Sequence, residues 1–107
     1  MKIKVFADTI CGWCYIGHSR LLNAVRTFEN VVFDLEHAPF QLNPDMPKEG
    51  MSRHDYLKDK FGSKELAKPM YDNMNAEAIK ENLKFKLDSI QVTPNTKLSH
   101  ILTNLAF

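Results

Sequence analysis

Two strand-like segments on either side of one helix-like segment constrain the fold of this chain more than any other feature. Residues 2–7, KIKVFA, place Ile3 and Val5 on one face of a short strand. Residues 31–40, VVFDLEHAPF, begin with β-branched and aromatic side chains that favour a second strand. The segment between them carries an apolar stripe of helical spacing, formed by Leu21, Leu22, Val25 and Phe28. A strand, a helix and a strand joined by short connections predict a βαβ unit with parallel strands.

The second half of the chain predicts helices instead of strands. Residues 41–52, QLNPDMPKEGMS, are rich in proline and turn-forming residues and are interpreted as a linker. Ser52 followed by Asp55 resembles a capping box that opens a helix, and Gly62 would end that helix. Ser63 would then cap the next helix.

The last segment predicts an apolar helix face. After a helix stop at Asn82, residues 84–90 alternate like a strand and are interpreted as an extended connector, and Thr93–Pro94 predicts a helix start. The apolar side chains of helical spacing that follow are Leu98, Ile101, Leu102 and Leu105. Because the chain stops within this pattern, we expect that it continues in a longer protein or that a partner, such as a second copy, covers the stripe.

Composition excludes several classes of protein. A chain of 107 residues is one domain or part of one. Its 14 basic and 13 acidic side chains give a net charge of +1, which provides no field to attract nucleic acid or an anionic membrane. The start, MKIKVFADTI, is too short an apolar run for a signal peptide, and no stretch reaches membrane-spanning length. We therefore expect a cytoplasmic protein that binds neither nucleic acid nor a membrane.

The only two cysteines, Cys11 and Cys14, lie three positions apart where the first strand gives way to the helix. Helical neighbours three residues apart hold their Cβ atoms about 5–6 Å apart, whereas a disulfide needs about 3.5–4.5 Å. A tightened first turn would let the bond form and break with little backbone movement. Cys11 would face the positive end of the helix, which lowers a thiol pKa. The spacing predicts that Cys11 attacks a disulfide and that Cys14 resolves the mixed disulfide.

Three neighbours of the pair are candidate active-site residues. Gly12 leaves the turn flexible and lets a substrate backbone approach. Trp13 would form an apolar contact surface, or would simply pack against the helix. His18, one turn past Cys14, could accept its proton, or could be an ordinary half-buried helix residue.

Metal binding is the rival chemistry for the cysteines. Tetrahedral zinc needs four ligands, usually as two pairs, and the chain has one Cys-x-x-Cys pair with no paired histidine spacing. A site could then be completed only by a second copy or a cofactor thiol, so we expect no metal. A structural disulfide is disfavoured in a reducing compartment.

Four segments together resemble the DsbA-like thioredoxin family along the whole chain. They are ADTICGWCYIGHSRL, APFQLNP, PNTKLSH and LTNLA, which occur in the family's order. The closest branch is the cytoplasmic FrnE-like one, grouped with 2-hydroxychromene-2-carboxylate isomerases. Family motif positions fall on Asp8, Cys11, Trp13, Cys14, Tyr15, Gly17, Phe40, Leu42, Asn43, Pro44, Asn95, Thr96 and His100.

The resemblance implies an α/β fold in which the N-terminal βαβ half of a thioredoxin-like fold, residues 1–44, is followed by an α-helical insertion, residues 45–107. Members of the family are longer, so the fold would be incomplete at its C-terminus and would lack the hairpin, last helix and cis-proline loop. Relatives usually carry proline where Gly12 stands here, which leaves the redox potential open. The isomerase and kappa-class glutathione transferase branches carry serine at the position of Cys11, so the intact pair favours redox chemistry.

The implied function is thiol–disulfide exchange on protein or small-molecule disulfides. It needs no cofactor beyond a redox-active Cys11–Cys14 disulfide, with glutathione as a possible reductant. Three alternatives remain open at this stage. They are a truncated, non-catalytic chain that assembles through exposed helices, a glutathione-dependent isomerase or transferase, and a metal site shared across a homodimer.

Overall fold

The computed structural model describes residues 1–106 and divides the chain into two compact units. The first unit contains residues 1–42 and the described residues from Thr96 onward, and the second contains residues 43–95. None of the helices within residues 1–106 is long and apolar enough to span a membrane.

A parallel two-stranded sheet and one connecting helix form most of the first unit. Strand β1 is Lys2–Ala7, helix α1 is Gly12–Val25 and strand β2 is Asp34–Pro39. The strands pair in register from Lys2 opposite Asp34 to Ala7 opposite Pro39. The predicted βαβ unit is therefore confirmed, and its parallel strands end side by side just before Asp8.

Helix α1 ends at Val25, three residues before the last residue of its predicted apolar stripe. The Thr27 hydroxyl donates a hydrogen bond of 2.7 Å to the Ala24 carbonyl, which occupies a backbone acceptor at the end of the helix. Phe28 instead packs edge-on against Phe33, with ring centroids 5.8 Å apart. The stripe thus continues beyond the helix into the turn that leads to β2.

The second unit contains two helices and a short antiparallel ribbon. Its elements are strand β3, Met51–Ser52; helix α2, Arg53–Phe61; helix α3, Lys64–Lys80; a 3₁₀ turn, Leu87–Ser89; and strand β4, Val92–Thr93. Leu57, Ala67 and Tyr71 form its buried cluster, on which four half-buried side chains pack: Tyr56, Phe61, Met70 and Leu87. The predicted extended connector at 84–90 is therefore wrong in part, because its end coils into the 3₁₀ turn and Leu87 packs on the cluster.

The predicted helix caps of this unit are confirmed. The Ser52 hydroxyl accepts the Asp55 N–H at 3.2 Å, and the Ser63 hydroxyl accepts the Leu66 N–H at 3.1 Å. Gly62 ends α2 with a φ of +93°, and Asn82 follows α3 with a φ of +57°. Local side-chain chemistry therefore determines where these helices begin and end.

The last helix, α4, is Lys97–Ala106 and differs from its prediction in its start and its environment. It does not begin at Thr93–Pro94, because Thr93 is buried in β4 and pairs with Met51. The side chains predicted to form a buried face are exposed, namely Leu98, Ile101, Leu102 and Leu105. The buried residue of the helix is His100.

Helix α4 also belongs to the first unit, whereas the sequence pattern grouped it with the helical region 45–107. Two contacts explain the difference. His100 Nε2 lies 3.1 Å from Asp8 Oδ1, and the hydroxyls of Thr9 and Ser99 lie 2.7 Å apart. Both contacts join α4 to the loop between β1 and α1, which is the loop that ends at Cys11.

Candidate active site

The two cysteines lie at the start of α1, as their spacing predicts. Cys11 is the N-cap residue, and its Sγ accepts the backbone N–H of Cys14 at 3.2 Å. Its carbonyl accepts the N–H of Tyr15, also at 3.2 Å, which begins the helical hydrogen bonding. Both thiols are free and half-buried. The sulfur of Cys11 therefore occupies the position of a capping side-chain oxygen and satisfies an N–H that the helix leaves unpaired.

The backbone on the other side of Cys11 is held by the end of β1. The Cys11 N–H donates a hydrogen bond of 3.2 Å to the carbonyl of Asp8. This bond closes a turn over Asp8, Thr9, Ile10 and Cys11. The capping position of Cys11 thus depends on how firmly Asp8 is held.

The pKa of Cys11 differs in direction from the sequence-based expectation. Burial is the largest influence and raises the pKa of the Cys11 thiol above its ordinary value, and the side chain of Cys14 raises it further. The N–H groups of Cys14 and Trp13 act in the opposite direction without reversing the shift. The expectation of a lowered pKa was wrong because it counted the helix end and left out the half-buried position of the thiol.

The residues near the two cysteines in sequence lie in different environments. Gly12 is the first residue of α1, between the two thiols in sequence. Trp13 is 43% exposed, and Tyr15 is more exposed still, so both present aromatic surface to solvent beside the cysteines. His18 lies against His37 of β2, with ring centroids 5.0 Å apart. The structure thus brings His18 into contact with the sheet.

Asp8 is the most deeply buried charged residue of the site region, with 4% of its surface exposed. Its Oδ2 accepts the Leu42 N–H at 2.8 Å, its Oδ1 lies 3.1 Å from His100 Nε2, and the Thr96 side chain bonds to the same carboxyl group. Burial acts to raise the pKa of Asp8, but these hydrogen bonds and the nearby His100 outweigh it and leave the pKa lowered. The carboxylate therefore lies buried with three bonding partners, one just beyond β2 and two at the start of α4.

The sequence analysis did not predict that the side chains bonded to Asp8 lie together. Asp8, Thr96 and His100 were each placed on family motif positions, but the sequence pattern assigned them to different regions. The pair Asp8–His100 spans 92 positions. Helical spacing places His100 on one face of α4 with Thr96 and Thr103, opposite the apolar stripe, so the sequence pattern directed attention to the wrong face.

The described part of the chain, residues 1–106, contains no cluster of three or more histidine, cysteine, aspartate or glutamate residues arranged to hold a metal ion. The chemistry that the described site offers is that of two thiols one helical turn apart.

Comparison with known proteins decides the family. A model of the DsbA-like thioredoxin domain matches residues 2–106. The chain belongs to this family. Comparison with curated protein sequences gives no significant match.

This DsbA-like domain is also similar to a solved structure, described as a probable DsbA oxidoreductase from Streptomyces coelicolor. The two share 29% sequence identity with a TM-score of 0.86, over 99% of this chain and 46% of the other. The chain thus spans slightly less than half the length of that protein. The mixed α/β architecture and the DsbA-like thioredoxin fold are common to both.

Proposed function

We propose that this DsbA-like domain carries out thiol–disulfide exchange, with Cys11 as the attacking thiol and Cys14 as the resolving thiol. One observation carries the proposal: the Cys14 N–H points at Cys11 Sγ from 3.2 Å at the start of α1. A hydrogen bond to sulfur stabilises a thiolate more than a thiol, so it offsets part of the pKa increase that burial causes and supports attack by Cys11. In the reverse direction it supports the departure of the Cys11 thiolate from the mixed disulfide. Membership of the DsbA-like family supports the same class of reaction.

The proposed reaction balances within the two cysteines and one substrate disulfide. The Cys11 thiolate attacks one sulfur of the substrate, the substrate S–S bond breaks, and a mixed disulfide forms as the first substrate thiolate leaves. Cys14 loses its proton to solvent and attacks Cys11 Sγ, which releases the second substrate thiolate. The substrate gains two electrons, and the protein is left with a Cys11–Cys14 disulfide. The reverse sequence transfers that disulfide to a substrate dithiol.

The exposed aromatic side chains beside the thiols support a substrate that brings its own apolar surface. Trp13 and Tyr15 are exposed beside the cysteines and offer aromatic contact area to a substrate. A protein or small-molecule disulfide fits this surface, and glutathione is the reductant we propose for resetting the site. Within the family we place the chain in the FrnE-like branch and in the cytoplasm.

The intact cysteine pair favours redox exchange over the glutathione-dependent isomerase or transferase chemistry of the related branches. Those branches carry serine at the position of Cys11, and a serine cannot form a mixed disulfide. The half-buried Cys14 lies one turn behind Cys11, which is where a resolving thiol is needed. A protein that used only one thiol would not need Cys14 at this position.

The proposal is tested with glutathione disulfide as the probe substrate. The Cys14→Ser variant should accumulate one glutathione on Cys11, because the resolving thiol is gone, and mass spectrometry of acid-quenched samples would locate it. The wild-type chain should pass through that species to the Cys11–Cys14 disulfide and release both glutathione thiols.

The matched variant Cys11→Ser should form no intramolecular disulfide and should exchange only through the slow reaction of Cys14. Exchange at the wild-type rate in Cys11→Ser would overturn the assignment of Cys11 as the attacking thiol. Equal glutathionylation of both cysteines in the wild-type chain would overturn the proposed dithiol site as a whole.

A further inference from the structure

We propose that Asp8 and His100 are positioning residues for Cys11, because their contact anchors the turn from which α1 begins. The inference deepens the proposed function by naming what holds the attacking thiol in place. Neither residue approaches the substrate in this account, and their effect reaches the sulfur through the backbone.

The anchor is built on the side chain of Asp8. Its carboxylate accepts the Leu42 N–H just beyond β2 and contacts both His100 and Thr96 at the start of α4. One side chain thus ties the end of β1 to the segment after β2 and to α4. A buried carboxylate is costly unless its hydrogen bonds are made, so these partners determine where Asp8 can lie.

The path from this anchor to the thiol is three residues long. The carbonyl of Asp8 accepts the Cys11 N–H at 3.2 Å, and Cys11 in turn caps α1 through its sulfur. A shift of Asp8 therefore displaces the N-cap of α1 directly. The hydroxyl contact between Thr9 and Ser99 holds the same turn to α4 at a second point.

The contact between Asp8 and His100 should affect the pKa of Cys11, which a contact that only stabilises the fold would not do. The pKa of Cys11 is raised mainly by its burial, and the turn keeps the thiol in that half-buried position. If the anchor is removed, the turn loosens, Cys11 gains solvent, and its pKa falls toward the ordinary value. The loss of the N–H bonds acts in the other direction, but burial is the larger influence.

The experiment compares four variants of the full chain: Asp8→Asn, His100→Leu, His100→Gln and, as a matched control for loss of a histidine, the exposed His54→Gln of the second unit. The rate of Cys11 alkylation by iodoacetamide is measured across pH on the reduced protein, with peptide mapping to separate Cys11 from Cys14. Circular dichroism and urea unfolding establish that each variant is folded under the alkylation conditions.

We expect His100→Leu and Asp8→Asn to move the Cys11 alkylation midpoint toward lower pH and to speed alkylation at neutral pH by about threefold, because a larger fraction of the thiol is then ionised. His100→Gln retains an N–H donor near Asp8 and should keep most of the wild-type profile, and His54→Gln should keep all of it. Wild-type profiles in folded His100→Leu and Asp8→Asn would overturn the inference, because the pair would then serve stability alone.

The test remains valid if the first variants unfold, and its result is independent of the disulfide-exchange test. If His100→Leu and Asp8→Asn unfold the chain, Thr96→Val removes a single hydrogen bond from Asp8 and is scored by the same criterion. The alkylation rate of Cys11 depends on the pKa and exposure of its thiol, whether or not the protein exchanges disulfides. A failed inference therefore leaves the glutathione results of the wild-type chain unchanged, and a failed proposed function leaves the alkylation comparison valid.

Discussion

His100 Nε2 lies 3.1 Å from Asp8 Oδ1, so a helix near the end of the described chain holds the turn that precedes the cysteine pair. Both side chains are buried, with at most 9% of either residue exposed. The carboxylate also accepts the N–H of Leu42 at 2.8 Å. Three segments far apart in sequence therefore meet at one carboxyl group next to Cys11.

Replacing Asp8 should destabilise the fold strongly. Asp8→Ala leaves His100 buried without its partner and removes the acceptor of the Leu42 N–H, and breaking a buried charge-bearing pair costs about 3–5 kcal/mol. Urea unfolding followed by circular dichroism measures the loss. Ser99→Ala removes the exposed hydroxyl contact with Thr9 and the hydrogen bond to the Thr96 carbonyl, and it should cost less, about 1–2 kcal/mol. An equal loss in the two variants would contradict the central position given to Asp8.

The lowered pKa of Asp8 makes stability depend on pH on the acid side. A group whose pKa is lower in the folded state stabilises the fold above its unfolded pKa, and this contribution is lost as pH falls through the folded value. The wild-type chain should therefore lose more stability than Asp8→Asn as pH falls from about 5 toward 2, the range over which such a carboxylate is protonated. Urea midpoints measured through this range should converge for the two proteins at low pH. Parallel curves would contradict the prediction.

The pKa of Cys11 should respond to Cys14. Burial contributes most to the raised value, and the Cys14 thiol adds to it, whereas the Cys14 backbone N–H lowers it. Cys14→Ala removes the thiol and keeps the N–H, so the alkylation midpoint of Cys11 should move to lower pH. An unchanged or higher midpoint would show that the two thiols do not interact in this way.

Two glycines should respond in opposite ways to alanine. Gly50 has a φ of +82°, and a Cβ there would lie 2.9 Å from the Thr93 carbonyl oxygen, so Gly50→Ala should destabilise the fold by more than about 1 kcal/mol. Gly17 lies within α1, where a Cβ would meet nothing within 4 Å, so Gly17→Ala should stabilise by about 0.5–1 kcal/mol. Thermal unfolding of the pair measures both. The same sign in both variants would contradict the backbone conformation of Gly50 or the helical position of Gly17.

Local chemistry explains what the sequence could predict. Ser52, Ser63 and Gly62 cap their helices through contacts within three or four residues, so their patterns can be read directly from the chain. The placement of Cys11 at the start of α1 has the same local origin. The βαβ unit follows from periodicity over a short stretch.

The features that the sequence did not predict depend on contacts between residues far apart in the chain, or on opposing influences on the pKa of Cys11. Thr93 pairs with Met51 in a ribbon that no local pattern indicates, which shifts the start of α4. His100 lies on the face of α4 opposite the apolar stripe that predicted burial, and its partner Asp8 lies 92 positions away. The direction of the Cys11 pKa shift depends on burial, which raises the pKa, and on backbone hydrogen bonds, which lower it. Burial is known only from the folded structure.

The most direct test of the account is an equilibrium titration of the wild-type chain in glutathione redox buffers, with acid quenching and mass spectrometry of Cys11 and Cys14. A working dithiol site should give one shared two-electron transition between the dithiol and a single Cys11–Cys14 disulfide, with mixed disulfides as minor species. Two independent one-thiol transitions, with glutathione on each cysteine and no intramolecular bond, would contradict it.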